Sequence, residues 1–395
     1  MSVAAALRVG LRWATCAGVV LWWLWTWPDI FSWPGHPHPQ QWNDSWFYAG
    51  PGARTFLRPW LTVLFWLSVG VTPLAVYTLH TLSVLCWARL GWVALGPIGV
   101  ALALSVSGTN LVRSWNYTVL SEPLALSGLA WLAAETVQLR DRDTRWRRVL
   151  WCAAAMLAAT RVATAPLLLP AAVAAVGWRR RLLWLLPVAV VLTAVPLWQQ
   201  HRDPTHERLQ AGNLALIRVG EVPELQQWMR EHGMPFPIPE RWNRIIYANL
   251  GQMRPDAPEL VAYIEGPFYG VYQLFLLTHP EYTLRSALCL GATVRPGSLL
   301  PGQGIAACDA FWQSVNVRVG FFTCLILALL IEPWAGICLV ILPVLAYHAN
   351  VNEFERLNTA LWAWQWIIVL LVLRAAARFI HRAVIARVPI PPDGR

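Results

Sequence analysis

Long apolar runs, separated by shorter polar stretches, recur along the chain and dominate its pattern. The length of each run is close to the about 20 residues that a helix needs to cross the hydrocarbon core of a bilayer. Because backbone groups inside a bilayer must be hydrogen-bonded within their own segment, each run predicts a transmembrane helix. The ten predicted spans lie near residues 10–27, 72–90, 92–107, 119–139, 149–162, 164–178, 182–198, 317–333, 335–350 and 358–376. We therefore expect an all-α, polytopic helical membrane protein.

The first run begins beside Arg8 and Arg12 and resembles a secretory signal peptide. Its end, "GVVLWWLWTWP", lacks a small-residue cleavage site and closes on an aromatic cluster. Aromatic clusters are typical of membrane–water interfaces, so we expect a retained first span.

A long polar segment separates the seventh span from the eighth and is predicted to be partly helical. In "VPELQQWMREHGMP", Pro223 suits a first helical turn and Gly233 suits a stop. "PERWNRIIYANL" repeats the apolar spacing, and "GPFYGVYQLFLLTHP" is short enough to be a re-entrant or interfacial helix. We divide the chain into an N-terminal membrane module 1–198 with a first outer loop 28–59, an outer segment 199–316, and C-terminal membrane helices with a basic tail 317–395.

Composition agrees with a membrane protein. Charged residues make up 13% of the chain, against about 25% in soluble domains, and the formal charge is +10. All basic residues other than histidine are arginines, which form no single stripe, so we expect no nucleic-acid partner. The seven cysteines lack metal-ligand spacing, so we predict no metal and no cofactor. Cys289 and Cys308 are either a disulfide or, as we favour, isolated small apolar residues.

The arginines also predict the orientation of the spans. With the N-terminus in the cytoplasm, the arginine-rich stretches "RDRDTRWRR", "WRRR" and the C-terminal tail all fall on the cytoplasmic side. Short outer segments then hold few arginines, as the positive-inside rule requires. We expect an integral protein of the bacterial inner membrane with both termini in the cytoplasm.

Three charged residues on the predicted outer side raise a choice between structure and chemistry. Asp44 is either the cap of a short interfacial helix or a base for an acceptor hydroxyl. Glu122 either complements the dipole of the helix that it begins or orients an arginine or acceptor. Arg161, inside an apolar run, either snorkels to the interface or faces a functional cavity.

Two further places offer polar groups on the same side. Glu353 and Arg356 lie in a short turn, where adjacent charges are usually solvated, and His279 stands at a predicted helix end. Carboxylates and arginines that converge on one side suit a reaction with a phosphate leaving group. A phosphate leaves as an anion and needs arginine to hold it, so a single carboxylate base suffices.

Several stretches resemble motifs of bacterial GT-C-type polytopic glycosyltransferases. "NDSWFY" resembles D-S-x-x-Y in their first outer loop, and "WNYTVLSEPLALS" resembles W-x-x-x-x-L-S-E-S-L-x-L-S. "ALIRVGEVPELQQWMREHGMP" is similar to their R-I-x-x-x-P-E-x-x-x-W-x-x-x-x-G-M-P stretch, and "FLLTHPEY" to F-L-x-x-H-P-x-Y. Two stretches depart from the family: Arg161-Val162-Ala163-Thr164 replaces R-D-x-N, and Asn350 and Leu357 replace an acid and a histidine.

The resemblance implies a GT-C-like fold and inverting sugar transfer from a polyprenyl-phosphate donor to a glycan, lipid or protein acceptor outside the cytoplasm. It implies that Asp44 is the general base. The other residues that we assign to the site are Glu122 as a catalytic or orienting acid, Arg58 and Arg161 for the lipid phosphate, and Tyr48, Trp115, His279, Glu353 and Arg356 for substrate. Membrane lipids are the other expected partners.

Two other classes of function remain. The departures from the family pattern favour a non-catalytic membrane subunit or lipid-binding scaffold derived from such an enzyme. A transporter ranks last, because it calls for paired repeats with broken helices at mid-membrane depth, whereas the polar residues here gather on one side.

Overall fold

The structure is a computed structural model that describes residues 3–26, 60–118, 121–177, 179–201, 211–243, 250–293, 304–349 and 359–385. Within these ranges 86% of the residues are helical and no β-strand occurs, which confirms the predicted all-α class. The helices of eight or more residues are α1 (Val3–Thr26), α2 (Trp60–Val69), α3 (Pro73–Leu95), α4 (Pro97–Ser107), α5 (Glu122–Asp141), α6 (Arg145–Ala158), α7 (Leu168–Val176), α8 (Leu185–His201), α9 (Pro223–Glu231), α10 (Pro258–Glu265), α11 (Phe268–Thr278), α12 (Pro280–Thr293), α13 (Ala306–Val319), α14 (Phe321–Ile331), α15 (Pro333–Ala349) and α16 (Thr359–Ile385).

Short helical turns connect these elements. They are Asn110–Arg113, Ser114–Tyr117, Ala165–Leu167, Arg180–Leu182, Leu214–Arg218, Val219–Glu221, Glu240–Trp242 and Leu250–Met253. The predicted helix in "VPELQQWMREHGMP" is α9, which ends before Gly233 at a φ of 85°. In "PERWNRIIYANL" the described residues form the turn Glu240–Trp242 and begin the turn Leu250–Met253, whereas residues 244–249 lie outside the described residues.

All ten predicted spans overlap helices, although span 92–107 contains both the end of α3 and the whole of α4. Fewer helices are long and apolar enough to cross a membrane. By length and composition, one described helix qualifies, over Thr359–Ala383, and up to three spans exist if each bent pair counts as one. The bent pairs are α10 with α11, at 62°, and α13 with α14, at 76°. The number of ten spans therefore stays a prediction, while the apolar helices indicate membrane association.

The predicted span 317–333 is not a single helix. The chain is already helical from Ala306, and α13 ends at Gly320, whose φ of 64° interrupts the helix before α14. The interruption follows from glycine's freedom to adopt a positive φ, which carries no β-carbon clash.

The two ends of helix α5 serve as reference points for the two sides of the bundle. It extends from Glu122 to Asp141, so its ends lie about 30 Å apart. Helix α3 packs along α5, and Nε of Arg89 near its C-terminus is 2.7 Å from Oε1 of Glu135 near the C-terminus of α5. We call the two sides of the bundle the Glu122 end and the Asp141 end.

Helix α3 runs in the same direction as α5, whereas α1 and α15 run in the opposite direction. The N-terminal half of α3 meets the C-terminus of α1 through Thr26 Oγ1 and His80 Nε2, which are 2.9 Å apart. Helix α15 begins next to Glu332, which pairs with Arg140 at the Asp141 end. Its other end contacts a second apolar cluster built by residues between Ala211 and Tyr282. That cluster therefore lies at the Glu122 end.

Close helix contacts fix α5 against α6. A β-carbon on Gly128 of α5 would lie 2.3 Å from the backbone nitrogen of Ala158, so only glycine permits this approach. A similar contact joins α3 to α4, where Gly91 and Gly99 each face the other's carbonyl. Small residues that let helix backbones approach are a typical means of association inside a membrane.

The Asp141 end is rich in arginines that pair with carboxylates. Asp141 pairs with Arg374 and Arg378 of α16. Glu332 accepts two hydrogen bonds of 2.6 Å from Arg140 and one of 3.0 Å from the indole of Trp334. These contacts tie α5, α15 and α16 together at one level of the bundle.

Asp143, in the turn after α5, is a further ion-pair centre at this end. Its carboxylate is 2.8 Å from Nε of Arg148 and 2.7 Å from Nε of Arg181. The hydrogen bond from Arg148 holds the pKa of Asp143 below its usual range. The turn between α5 and α6 is therefore fixed to the chain that follows α7.

Candidate functional site

Glu122 lies at the N-terminus of α5 and is buried, with 2% of its surface exposed. Pro123 occupies the first turn, where the absence of a backbone N–H has no cost. The hydroxyl of Ser121 donates to Oε2 of Glu122 at 3.4 Å. The positive end of the helix dipole and the hydroxyl hydrogen both lie next to the carboxylate oxygens.

Arg161 follows α6 and is brought to Glu122 by the close contact between α5 and α6. It is 7% exposed, and its Nη1 is 3.6 Å from Oε1 of Glu122. This distance allows an ion pair but exceeds a hydrogen bond. Within the described residues, Nη1 of Arg161 has no hydrogen-bond partner.

The backbone around Arg161 is held by hydroxyl groups. Thr164 donates to the carbonyl of Arg161 at 3.0 Å, and Thr62 of α2 donates to the carbonyl of Thr160 at 2.9 Å. These bonds fix the irregular turn that replaces a further turn of α6. The guanidinium is therefore positioned on a rigid backbone at the Glu122 end of the bundle.

Trp115 belongs to the Ser114–Tyr117 turn, which packs against α5. Trp115 is fully buried and Asn116 is 2% exposed. Their side-chain nitrogens, Nε1 and Nδ2, find no hydrogen-bond acceptor among the described residues. The turn thus places buried polar groups next to the N-terminal half of the bundle's central helix.

Arg113 is a buried arginine to which the sequence assigned no role. It is 2% exposed, and its Nη2 donates to the carbonyl of Thr26 at 2.8 Å. Thr26 in turn contacts His80, which connects α1, α3 and the turn before α5. The signal in the sequence was its place in the short outer connection, directly before the "SWNYTVLSEPL" stretch.

The described contacts of His279 are with Trp228, Phe275 and Thr278. Its ring stacks on Phe275 with centroids 4.3 Å apart and meets the edge of Trp228 at 5.3 Å. Its Nδ1 is 3.1 Å from the carbonyl of Phe275 and 3.0 Å from the hydroxyl of Thr278. These contacts are those of a helix-end histidine in an aromatic cluster.

A second polar cluster, which sequence reasoning did not identify, joins the outer segment to α15. The guanidinium of Arg218 lies 3.9 Å above the ring of Tyr347, a cation–π contact. The hydroxyl of Tyr282 is 3.4 Å from that of Tyr347, and the hydroxyl of Tyr272 is 3.4 Å from Nδ1 of His348. Arg218 belongs to the "ALIRVG" motif, but the partners on α15 gave no signal in the sequence.

The remaining predicted site residues lie outside the described residues. They are Asp44, Tyr48, Arg58, Glu353 and Arg356. The structure therefore brings Glu122 and Arg161 together, with Trp115 on a turn that packs against the same helix. The described contacts of His279 are with its own aromatic neighbours.

The expectation for the cysteines has an outcome in the structure. All seven cysteines are free thiols, so Cys289 and Cys308 form no disulfide. No group of three or more metal-ligating side chains occurs in the ranges that the structure describes.

No protein-family model, no curated protein and no solved structure matches this chain. The similarity to GT-C-type glycosyltransferases therefore stays an expectation based on the sequence motifs.

Proposed function

We propose that this chain is a polytopic membrane glycosyltransferase with about ten spans and a GT-C-like fold. It transfers a sugar with inversion from a polyprenyl-phosphate donor to an acceptor at the Glu122 end. The observation that carries this proposal is the buried Glu122–Arg161 pair, in which Arg161 keeps an unoccupied donor nitrogen. A buried guanidinium donor suits a phosphate oxygen, because arginine binds phosphate through charge-assisted hydrogen bonds.

The distribution of arginines supports the orientation. The Asp141 end holds the arginine clusters around Asp141 and Asp143, and the short segments predicted for the opposite side hold few arginines. Under the positive-inside rule, the Asp141 end faces the cytoplasm and the Glu122 end faces outward. Both termini are then cytoplasmic, and the membrane is the bacterial inner membrane.

In the proposed reaction, an acceptor hydroxyl oxygen attacks the anomeric carbon of the donor. The bond between that carbon and the phosphate oxygen breaks, and the polyprenyl phosphate leaves as an anion. Asp44 takes the proton of the acceptor hydroxyl as the single base. Arg161, together with Arg58, stabilises the charge that develops on the phosphate.

The other site residues support these two. Glu122 holds the guanidinium of Arg161 in place at 3.6 Å without saturating its donors. Tyr48, Trp115, His279, Glu353 and Arg356 contribute to substrate binding in this proposal. The outer segment between residues 199 and 316 covers the site and selects the acceptor.

A non-catalytic membrane subunit or lipid-binding scaffold is the second candidate. The observation that favours it is the sequence after Arg161, where Val162 and Thr164 stand in place of the family's acid and amide. Thr164 uses its hydroxyl on the carbonyl of Arg161, a structural role. In that case the Glu122–Arg161 pair stabilises the bundle and no sugar is transferred.

A release assay separates the two candidates. The full chain, purified in mild detergent, is incubated with a panel of polyprenyl-phosphate hexoses and pentoses and with membrane glycan extract. We expect the chain to release polyprenyl phosphate. Asp44→Asn and Arg161→Gln should abolish this release, whereas the control variant Arg382→Gln, at an exposed position of α16, should retain it. Failure to release lipid phosphate from any donor, or full release by Asp44→Asn, contradicts the proposed mechanism.

A further inference from the structure

A groove opens between α1 and the hairpin of α3 and α4 at the Asp141 end. Its volume is about 580 Å³, and its lining includes Arg12, Cys16, Val20, Arg89, Trp92 and Val100. This volume is within the roughly 300–1,000 Å³ of ordinary ligand sites.

The groove is a consequence of how α1 meets α3. At the Glu122 end the two helices are joined by the indole of Trp23, which donates to Thr81 at 3.0 Å, and by the contact between Thr26 and His80. Toward the Asp141 end, no described hydrogen bond joins the two helices, and the space between them is the groove. Its body is therefore an apolar wedge between two helices.

Two positively charged side chains, Arg12 and Arg89, line the opening of the groove. Arg89 is one-third exposed, and its Nε is held by Oε1 of Glu135, which is fully buried behind it. Arg12 is exposed and makes no ion pair or hydrogen bond within the described chain. No carboxylate lines the groove, so the mouth carries a net positive charge.

We infer that this groove binds one anionic phospholipid of the cytoplasmic leaflet. The phosphate lies between Arg12 and Arg89, and an acyl chain lies along Val20 and Val100. The inference uses the membrane placement proposed for the bundle and is independent of the sugar transfer.

The neighbouring surface favours a lipid over a protein partner. The outer face of α1 continues the groove with exposed apolar residues, among them Leu11 at 53% and Leu21 at 65%. A face that is apolar along its length, with arginine at the headgroup level, is complementary to a lipid with an anionic head.

Native mass spectrometry of the full chain in mild detergent tests the inference. Phosphatidylglycerol and phosphatidylcholine are titrated separately, and the dissociation constant of the first bound lipid is measured. We expect phosphatidylglycerol to bind several-fold more tightly. Equal affinity for the two lipids overturns the inference.

Variants identify the site. Arg12→Gln is expected to weaken the first phosphatidylglycerol about fivefold, because an arginine near an anionic surface contributes about that factor. Val20→Trp fills the groove from a position that is 53% exposed, so the fold is retained and the first binding step is lost. Arg382→Gln removes an exposed arginine of α16 outside the groove and leaves the affinity unchanged.

Three results contradict the proposed site. If Arg382→Gln weakens binding as much as Arg12→Gln does, the attraction is a general charge effect. If millimolar inorganic phosphate displaces the lipid, the arginines bind phosphate without any contribution from the apolar groove. Binding that survives in Val20→Trp also places the lipid elsewhere.

Discussion

Removal of both charges from the buried Glu122–Arg161 pair is expected to cost less stability than the two single removals added together. The two side chains are 2% and 8% exposed, so neither ion is well screened by solvent. The perturbations are Glu122→Gln, Arg161→Met and the double variant, each of similar volume to the original.

The structure sets the size of the effect. At 3.6 Å and an effective dielectric constant of about 20, the attraction is about 5 kcal/mol before desolvation is subtracted. Breaking a buried pair from one side typically costs 3–5 kcal/mol, because the remaining ion stays buried without its partner. Since the pair lacks a hydrogen bond, we expect the lower limit, about 3 kcal/mol, for each single variant.

The double variant carries neither charge. Its loss is expected to be about 2 kcal/mol less than the sum of the two single losses, a typical coupling for side chains in contact. Thermal unfolding in detergent measures this cycle. For a chain of this size each kcal/mol corresponds to about 2 °C, so the single variants melt about 6 °C lower than the parent chain.

An additive result refutes the reasoning. If the double variant loses the sum of the two single losses, the carboxylate and the guanidinium are not coupled and do not form an ion pair. The transfer assay adds a second distinction. If Arg161 holds the donor phosphate, the folded fraction of the double variant transfers no sugar, whereas a purely structural pair leaves transfer proportional to the folded protein.

Three further predictions concern packing, pH and orientation. Gly128→Leu is expected to force α5 away from α6 and to lower the free energy of unfolding by about 3 kcal/mol, which lowers the melting temperature. Gly18→Leu is the control and should have little effect, because no atom lies within 4 Å of a β-carbon at Gly18. Because the pKa of Asp143 is lowered in the folded chain, its stabilisation is present above the unfolded pKa of about 3.9. The melting difference between the parent and Asp143→Asn should vanish as the pH falls through the folded pKa. In intact cells, an impermeant maleimide should label exposed Cys289 but reach Arg382→Cys only after permeabilisation; the opposite result inverts the proposed orientation.

The sequence predicted the helices well because their signals are local. Apolar runs marked the helices of the predicted spans, and Pro223 and Gly233 marked the start and the end of α9. Helices α2, α10 and α12 were not predicted. Glu122 with Pro123 likewise marked the beginning of α5. Each of these features acts within a few residues of the chain, so no tertiary information is needed to identify it.

The contacts that assemble the helices were not predictable in the same way. Glu332 pairs with Arg140, 192 residues away in the chain, and Asp309 accepts a hydrogen bond from the backbone of Asn110, 199 residues away. Nothing near either residue indicates its partner. The bend at Gly320 was missed for a related reason, since a glycine in an apolar run is compatible with a continuous helix.

The candidate site was predicted in part. The chain's own charge pattern placed Glu122 and Arg161 on one side of the membrane, and the structure places them 3.6 Å apart. Arg218 was recognised only as a motif residue, because its cation–π partner Tyr347 lies on another helix. His279 was assigned from a motif, and its contacts turn out to be with its own aromatic neighbours.

The two ends of the bundle differ in how their ion pairs are built, and this difference favours a function at one of them. At the Asp141 end, Glu332 meets Arg140 through two hydrogen bonds of 2.6 Å, which saturate the carboxylate and suit a fixed clamp. At the other end, Glu122 and Arg161 remain 3.6 Å apart although both are more deeply buried. If the only role of a buried ion pair were to stabilise the fold, a shorter separation with direct hydrogen bonds would stabilise it more. The open geometry instead leaves a guanidinium donor available for an anion, as phosphate binding requires.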